Sequence, residues 1–316
     1  MARVAVVGAG GIGGFIAAAL ARAGEPVLVV ARGEHGEAIR RDGLYLDRSD
    51  FGPFRVSVEV RDDLRGLDEH DFLLVTFKAH QWDQARDMLA PAARRGATIV
   101  TMQNGVPFWY VREPPLRSVD PDGAIGRLFA DSAVVGSVVH VSGNIAAPGH
   151  IEQSGGFRYV FGDPNGGCER RTRELIGIFA RAGLAPEADD NVRATVWLKL
   201  VNNVGLNPVS VLRRQTIKEM LANDAARAHV RRLMSEALAV GRAMGVLDDI
   251  DLDARIEYAA RLDDVKTSML QDFERGRALE IDPILGAVCE LGERYGIPTP
   301  AVAEAYAALQ RLGAAK

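Results

Sequence analysis

Val4-Ala5-Val6-Val7-Gly8-Ala9-Gly10-Gly11-Ile12-Gly13 runs an apolar strand straight into a glycine turn at the start of the chain. Three of these glycines stand at Gly-x-Gly-x-x-Gly spacing, and each has its own physical task. Gly8 makes the tight turn off the strand. Gly10 admits a pyrophosphate to the backbone where a Cβ would obstruct it, and Gly13 lets the next helix pack close to the sheet. Phe15 to Arg22 supplies that helix, whose free N–H groups and positive dipole end face the phosphates. Gly24 closes it, and Val27-Leu28-Val29-Val30 forms the second strand. Glycines alone are compatible with a turn that merely packs tightly. Set in a complete strand–turn–helix–strand unit, they predict a dinucleotide site lined by Gly8, Gly10, Gly11, Ile12 and Gly13.

The end of the second strand bears on which dinucleotide. An NAD-specific fold usually carries an Asp or Glu there, roughly 20 residues past the glycines, to bind the ribose 2′-hydroxyl. Here the strand ends Val30-Ala31-Arg32-Gly33. A guanidinium in place of the carboxylate can grip a 2′-phosphate through its planar charged fork. NADP (as NADPH) is therefore the expected cofactor. Glu34 close by argues the other way unless Gly33 turns it aside, and the bland reading of Arg32 is a solvated surface charge.

The chain has 316 residues, enough for about two domains. It is 47% hydrophobic and 25% charged, as an ordinary globular protein is. A net charge of −4 leaves no basic footprint for nucleic acid or an anionic membrane. No apolar run reaches transmembrane length, and a structural strand beginning at residue 4 leaves no room for a signal peptide. Cys168 and Cys289 are isolated, without metal spacing, and the six histidines form no ligand pattern. A cytoplasmic protein without a metal is the expectation; a homodimer is compatible with it, though no stretch of sequence identifies a subunit surface.

Further along, Phe54 to Val60 alternates like a strand, and Asp71 to Lys78 and Ala97 to Gln103 read as buried parallel strands around a helix from Gln81 to Leu89. Val134–Ser142, His150–Gln153 and Arg158–Gly162 read as shorter strands able to extend the sheet in antiparallel fashion. Residues 112–127, with Pro114, Pro115 and Pro121, read as a long surface loop or insertion. From about Asp190 the strand signals vanish. Helix-period segments then cover 191–206, 222–244, 253–275, 283–295 and 299–312, punctuated by Pro208, Gly245, Gly276, Pro283 and Pro298. The expected fold class is α/β: a Rossmann-type doubly wound sheet over 1–189 that binds NADP, then an all-helical substrate and catalytic domain over 190–316.

Several polar residues are not explained by this pattern. Lys78 and Asn104 follow strand ends, where ribose, phosphate or nicotinamide contacts belong; each can equally serve its own turn. Lys199, Asn203 and Asn207 are spaced i, i+4, i+8 and share one helix face. Asparagine is a poor helix former, so two among leucines and valines need a reason. One is a polar stripe bonding neighbouring helices, and the other is a lysine acid with two amides that orient a small polar substrate. Near the C-terminus, Ser268 and Asp272 share a helical face, Gly276 reads as a helix C′ residue, and Asp282-Pro283 reads as N-cap and N1. Glu280 then falls in a short interhelical segment.

Together these residues resemble the ketopantoate reductase family over nearly the whole chain. The marks are Gly8 to Gly13, Val75-Thr76-Phe77-Lys78, Gln103-Asn104-Gly105, and Trp197-Leu198-Lys199 with Asn203 and Asn207. Lys266 to Asp272 and Glu280-Ile281-Asp282 complete them. The resemblance implies a helical second domain of the phosphogluconate-dehydrogenase-like type. It also implies NADPH-dependent reduction of 2-dehydropantoate to (R)-pantoate, a step towards pantothenate and coenzyme A. By position, Lys199 is implied as catalytic lysine and Glu280 as a catalytic, substrate-binding glutamate. Asn203, Asn207, Ser268 and Asn104 are implied as substrate contacts, with Asn104 also at the cofactor. Arg32 and Lys78 are implied as cofactor contacts. Two alternatives stay open: a reductase of another small 2-oxo acid, and a non-catalytic NADP sensor, which would need neither Lys199 nor Glu280.

Overall fold

The computed structural model describes residues 2–47, 52–63, 71–111, 113–130, 132–167, 169–261 and 264–314. Cys168 and Arg112 lie outside them. Two compact units result, one of Met1–Gln103 with Ala124–Arg193, the other of Asn104–Gly123 with Ala194–Lys316.

The first unit is built on strands β1 (Val4–Val7), β2 (Val27–Val30), β3 (Leu44–Asp47), β4 (Phe54–Val56), β5 (Glu59–Arg61), β6 (Phe72–Val75), β7 (Thr98–Thr101), β8 (Val134–Ala147), β9 (His150–Gly162) and β10 (Ala185–Ala188). Its helices are α1 (Gly11–Arg22), α2 (Gly33–Asp42), α3 (Trp82–Arg94), α4 (Ala124–Leu128) and α5 (Arg170–Arg181). Strands β5-β2-β1-β6-β7-β8 are neighbours in that order and all parallel. This is the doubly wound arrangement whose ligands bind beyond the carboxyl ends of the strands. Strands β8 and β9 form one long antiparallel hairpin, where shorter strands were expected.

Phe54 to Val60 is two strands rather than one. Val56 pairs antiparallel with Leu44, whereas Val60 pairs parallel with Val29. Strands β4 and β5 stand at opposite ends of the sheet path β4-β3-β9-β8-β7-β6-β1-β2-β5. Yet only residues 57 and 58 separate them, a reach of at most about 11 Å. The sheet therefore curls round until its two ends meet, with α1 packed against strands from both halves. That explains why the α1 sequence is apolar all round. Phe15, Ile16, Ala17, Ala18 and Leu20 are fully buried, each large side chain contributing about 1.5–3 kcal/mol. Tyr159, Phe161 and Phe179 extend this core through edge-on contacts at 5.1 and 4.9 Å.

The second unit holds α6 (Val192–Arg213), α7 (Ile217–Leu221), α8 (Asp224–Ala243), α9 (Leu252–Ala260), α10 (Ser268–Glu274), α11 (Ala287–Tyr295) and α12 (Pro300–Ala314). Helix α6 runs through Pro208 instead of stopping there. The missing N–H costs one backbone bond, but Val204, Asn207, Val209 and Val211 are all buried around it, and that packing holds the helix. The 253–275 segment is two helices, α9 and α10. Gly276 is the left-handed residue after α10 (φ +66°), as expected. Asp282 sits one position inside its helix rather than capping it, and the turn Asp282–Gly286 is a π-turn.

Residues 113–127 are not a free surface loop. Leu116, Asp120 and Ile125 are buried, and 124–128 form α4. Glu290 on α11 accepts hydrogen bonds from Arg117 N (2.9 Å), Ser118 N (3.0 Å) and Ser118 Oγ (2.9 Å), which straps the stretch down. Among the described residues no helix is long and apolar enough to cross a membrane, and no cluster of His, Cys, Asp and Glu could hold a metal ion.

Candidate functional site

In the first unit the glycine turn divides its labour as the spacing suggests. Gly8 has φ +107°, open to glycine but strained for other residues. A Cβ on Gly13 would lie 2.0 Å from Gly8 O and 2.4 Å from Thr76 Oγ1, so this position is closed by protein. A Cβ on Gly10 would meet nothing within 4 Å. The position is therefore open, at the N-cap of α1. Gly11 is filled from the protein side, since a Cβ there would run into Gly143 O of β8.

Two residues that the sequence reading passed over hold this turn. Thr76 Oγ1 donates towards Gly8 O at 2.6 Å, with Val7 O 3.1 Å away. His35, on α2, bonds Ala9 O through Nε2 at 2.9 Å and accepts the Gly149 N–H at Nδ1, 3.0 Å. Because Nδ1 accepts, the ring proton belongs on Nε2. Burial holds the imidazole below its ordinary value, which favours this neutral form. The pairing of a histidine with a glycine loop 26 residues earlier leaves no local sequence signal.

Arg32 stands exposed at the N-cap of α2, just past β2, with no ion pair to a described residue. Gly33 follows at φ +60°. Lys78 is half-buried after β6, its backbone N–H bonded to Gln81 Oε1 at 3.0 Å. Gln103 is committed to structure: Oε1 accepts from Trp82 Nε1 (2.9 Å) and Nε2 donates to Phe77 O (2.7 Å).

The second unit gathers the remaining predicted residues. Trp197 anchors α6 in the core: its Nε1 donates to Ala237 O at 3.0 Å and its ring stacks on Tyr110 at 5.9 Å. Gly241 on α8 makes room for the indole, since a Cβ there would lie 2.2 Å from Nε1. Two residues on, about 200° around the helix, Lys199 points away from that core. Lys199 and Asn203 are half-buried, and Asn207 is buried. Burial pushes the Lys199 ammonium down to about 8, against the opposing pull of the Glu280 carboxylate. Glu280 is half-buried and stands two residues before the π-turn, a feature frequent at functional positions.

Asn104 belongs to this same unit, 176 residues from Glu280 in sequence. Val106 N donates to Pro283 O at 2.8 Å, and Gly105 (φ +84°) fits because a Cβ would lie 2.6 Å from that oxygen. The Asn104-Gly105 turn is thus docked on the segment that follows Glu280. Ser268 is exposed at the first position of α10, where Thr267 caps the helix through Leu270 N at 3.2 Å. Thr267 also shares a 2.6 Å bond with Ser210 Oγ, three residues beyond Asn207. Ser268 thus lies next to the Thr267–Ser210 bond that joins the start of α10 to α6.

Residues 4–166 match the family model described as "Ketopantoate reductase PanE/ApbA", and 191–313 match its C-terminal companion. The chain belongs to the ketopantoate reductase family. The chain is 38% identical to 2-dehydropantoate 2-reductase of Mesorhizobium japonicum, over 98% of this chain and 97% of that one. The crystal structure of 2-dehydropantoate 2-reductase from Geobacter metallireducens superposes with a TM-score of 0.87 at 29% identity, covering 98% of this chain and 99% of that one. A D-mandelate dehydrogenase solved with NADH and anilino(oxo)acetate has a TM-score of 0.85 at 18% identity, covering 99% and 98%, and shares the fold alone. The chain is thus an α/β oxidoreductase with a ketopantoate reductase's nucleotide-binding fold, as the sequence motifs imply.

Proposed function

We propose that this chain reduces ketopantoate to (R)-pantoate with NADPH, a step towards pantothenate. The observation that carries the reading is Lys199, a half-buried ammonium tuned to about 8 beside Glu280 on a helix face that also bears Asn203 and Asn207. Near pH 7 such a lysine is about nine-tenths protonated yet gives up its proton readily, as a general acid should. A non-catalytic sensor has no use for it.

The nucleotide fits the first unit. The open space over Gly10 suits the pyrophosphate, and the exposed Arg32 suits a 2′-phosphate. Bound NADPH supplies the hydride to the ketone carbon. The chain's own residues do the rest. As charge gathers on the former carbonyl oxygen, the Lys199 ammonium first stabilises it and then donates its proton there. Asn203 and Asn207 orient the substrate without competing for that proton. Glu280 accepts from the substrate hydroxyl and holds the ammonium in place. Asn104 and Ser268 complete the substrate contacts, and Lys78 contributes to holding the nucleotide.

Lys199→Ala should lower kcat for ketopantoate at least about a hundredfold, with NADPH affinity and Tm nearly intact. Near-normal kcat, with chemistry shown to be rate-limiting, would return Lys199 to a packing role.

A further inference from the structure

On α6, Thr195, Lys199, Asn202, Asn203 and Leu206 fall within an arc of about 100°, and all five are half-buried. Their neighbours Val196, Trp197, Leu200 and Val204 are buried. Asn202 is therefore on the same open face as the lysine, at i+3, where side chains are neighbours roughly 5–6 Å apart at Cβ. Its Oδ1 accepts a hydrogen bond from Arg255 Nε of α9 at 3.1 Å. Arg255 is half-buried, and among the described residues this amide is its side chain's one polar partner. Burial lowers the guanidinium's proton affinity with no carboxylate opposing it. Arginines removed from water normally find a counter-charge, so an uncompensated one fixed in place is an anion site in waiting.

The charge count over the residues of the proposed site points the same way. Lys199 and Glu280 cancel, while Asn104, Asn203, Asn207 and Ser268 are neutral. A 2-oxo acid brings a carboxylate that none of these balances. We propose that Arg255, held through its Nε by Asn202, presents its two terminal amino groups to the carboxylate of the 2-oxo acid substrate. It is then the residue that makes the site selective for acids over neutral ketones. The inference rests on the proposed reductase reading.

The test is steady-state kinetics of Arg255→Ala and Arg255→Lys, with methylguanidinium added back to the alanine variant. A carboxylate contact is made equally in ground and transition states, so its loss raises KM and spares kcat. Arg255→Ala should raise the KM for ketopantoate about 10- to 100-fold, the weight of one lost charge-assisted contact. KM for NADPH should not move, and methylguanidinium should restore much of the ketopantoate affinity. Arg255→Lys, which keeps the charge and the fold, should show a smaller rise. An unchanged KM for ketopantoate would overturn the proposal. So would a rise confined to NADPH, which would make Arg255 a phosphate contact, or a joint loss of Tm, kcat and both KM values without rescue. Wild-type turnover of ketopantoate in the same assay tests the proposed function separately.

Discussion

Replacing Glu280 by glutamine removes a negative charge that raises the proton affinity of Lys199 while keeping nearly the same shape. Burial disfavours the charged ammonium and brings its pKa down to about 8, and Glu280 acts in the opposite direction. In the proposed mechanism Lys199 is active as the protonated acid. In the unaltered enzyme kcat/KM for reduction should therefore be level below pH 7, half-maximal near pH 8, and falling about tenfold per pH unit above it. In Glu280→Gln the midpoint should move below 8. A downward shift of one unit would cut the protonated fraction at pH 8 from about half to about one-tenth. Loss of the proposed substrate contact to Glu280 should lower the whole profile, whereas loss of the charge should displace its break, so the two proposed roles separate in one data set. The assay is NADPH oxidation at subsaturating ketopantoate between pH 6 and 10. An alkaline break that stays in place or moves upward in the glutamine variant would refute the coupling.

Arg32→Ala should raise the KM for NADPH about ten- to a hundredfold, one charge-assisted contact, and leave NADH use almost unchanged; equal losses with both would assign Arg32 to the fold. Gly10→Ala and Gly13→Ala should part company. The first adds a methyl to open space and should weaken NADPH binding with Tm unchanged. The second drives a methyl into Gly8 O and should lower stability by about 1–3 kcal/mol, read as a fall in Tm.

The glycine turn and the parallel strands were legible in the sequence because each rests on a local signal: φ > 0 at Gly8, contact at Gly13, unbroken apolar runs in β6 and β7. What escaped were pairings that only the chain's path creates. Phe54 to Val60 alternates correctly for a strand, yet its halves pair at opposite ends of the sheet. Residues 112–127 look like a loop by composition, because nothing near them announces that Glu290 will accept their N–H groups. Asn104 looks like the end of a strand in the first unit, but the Val106–Pro283 bond sets it in the unit that holds Lys199 and Glu280. Within α6 the spacing of Lys199, Asn203 and Asn207 was readable. Asn202, Thr76, His35 and Arg255 were not, because their partners lie 26 to 114 residues away.

The proposed activity is tested most directly by comparing kcat/KM for ketopantoate, 2-oxoisovalerate and pyruvate under NADPH oxidation by the purified chain. In the proposed reading Glu280 and the asparagines bond the ketopantoate hydroxyl, and a site built for a hydroxyl leaves its polar groups unpaired when the hydroxyl is absent. Ketopantoate should lead 2-oxoisovalerate, which lacks that group, by at least about a hundredfold. Turnover of ketopantoate no better than of the other two acids would contradict the assignment.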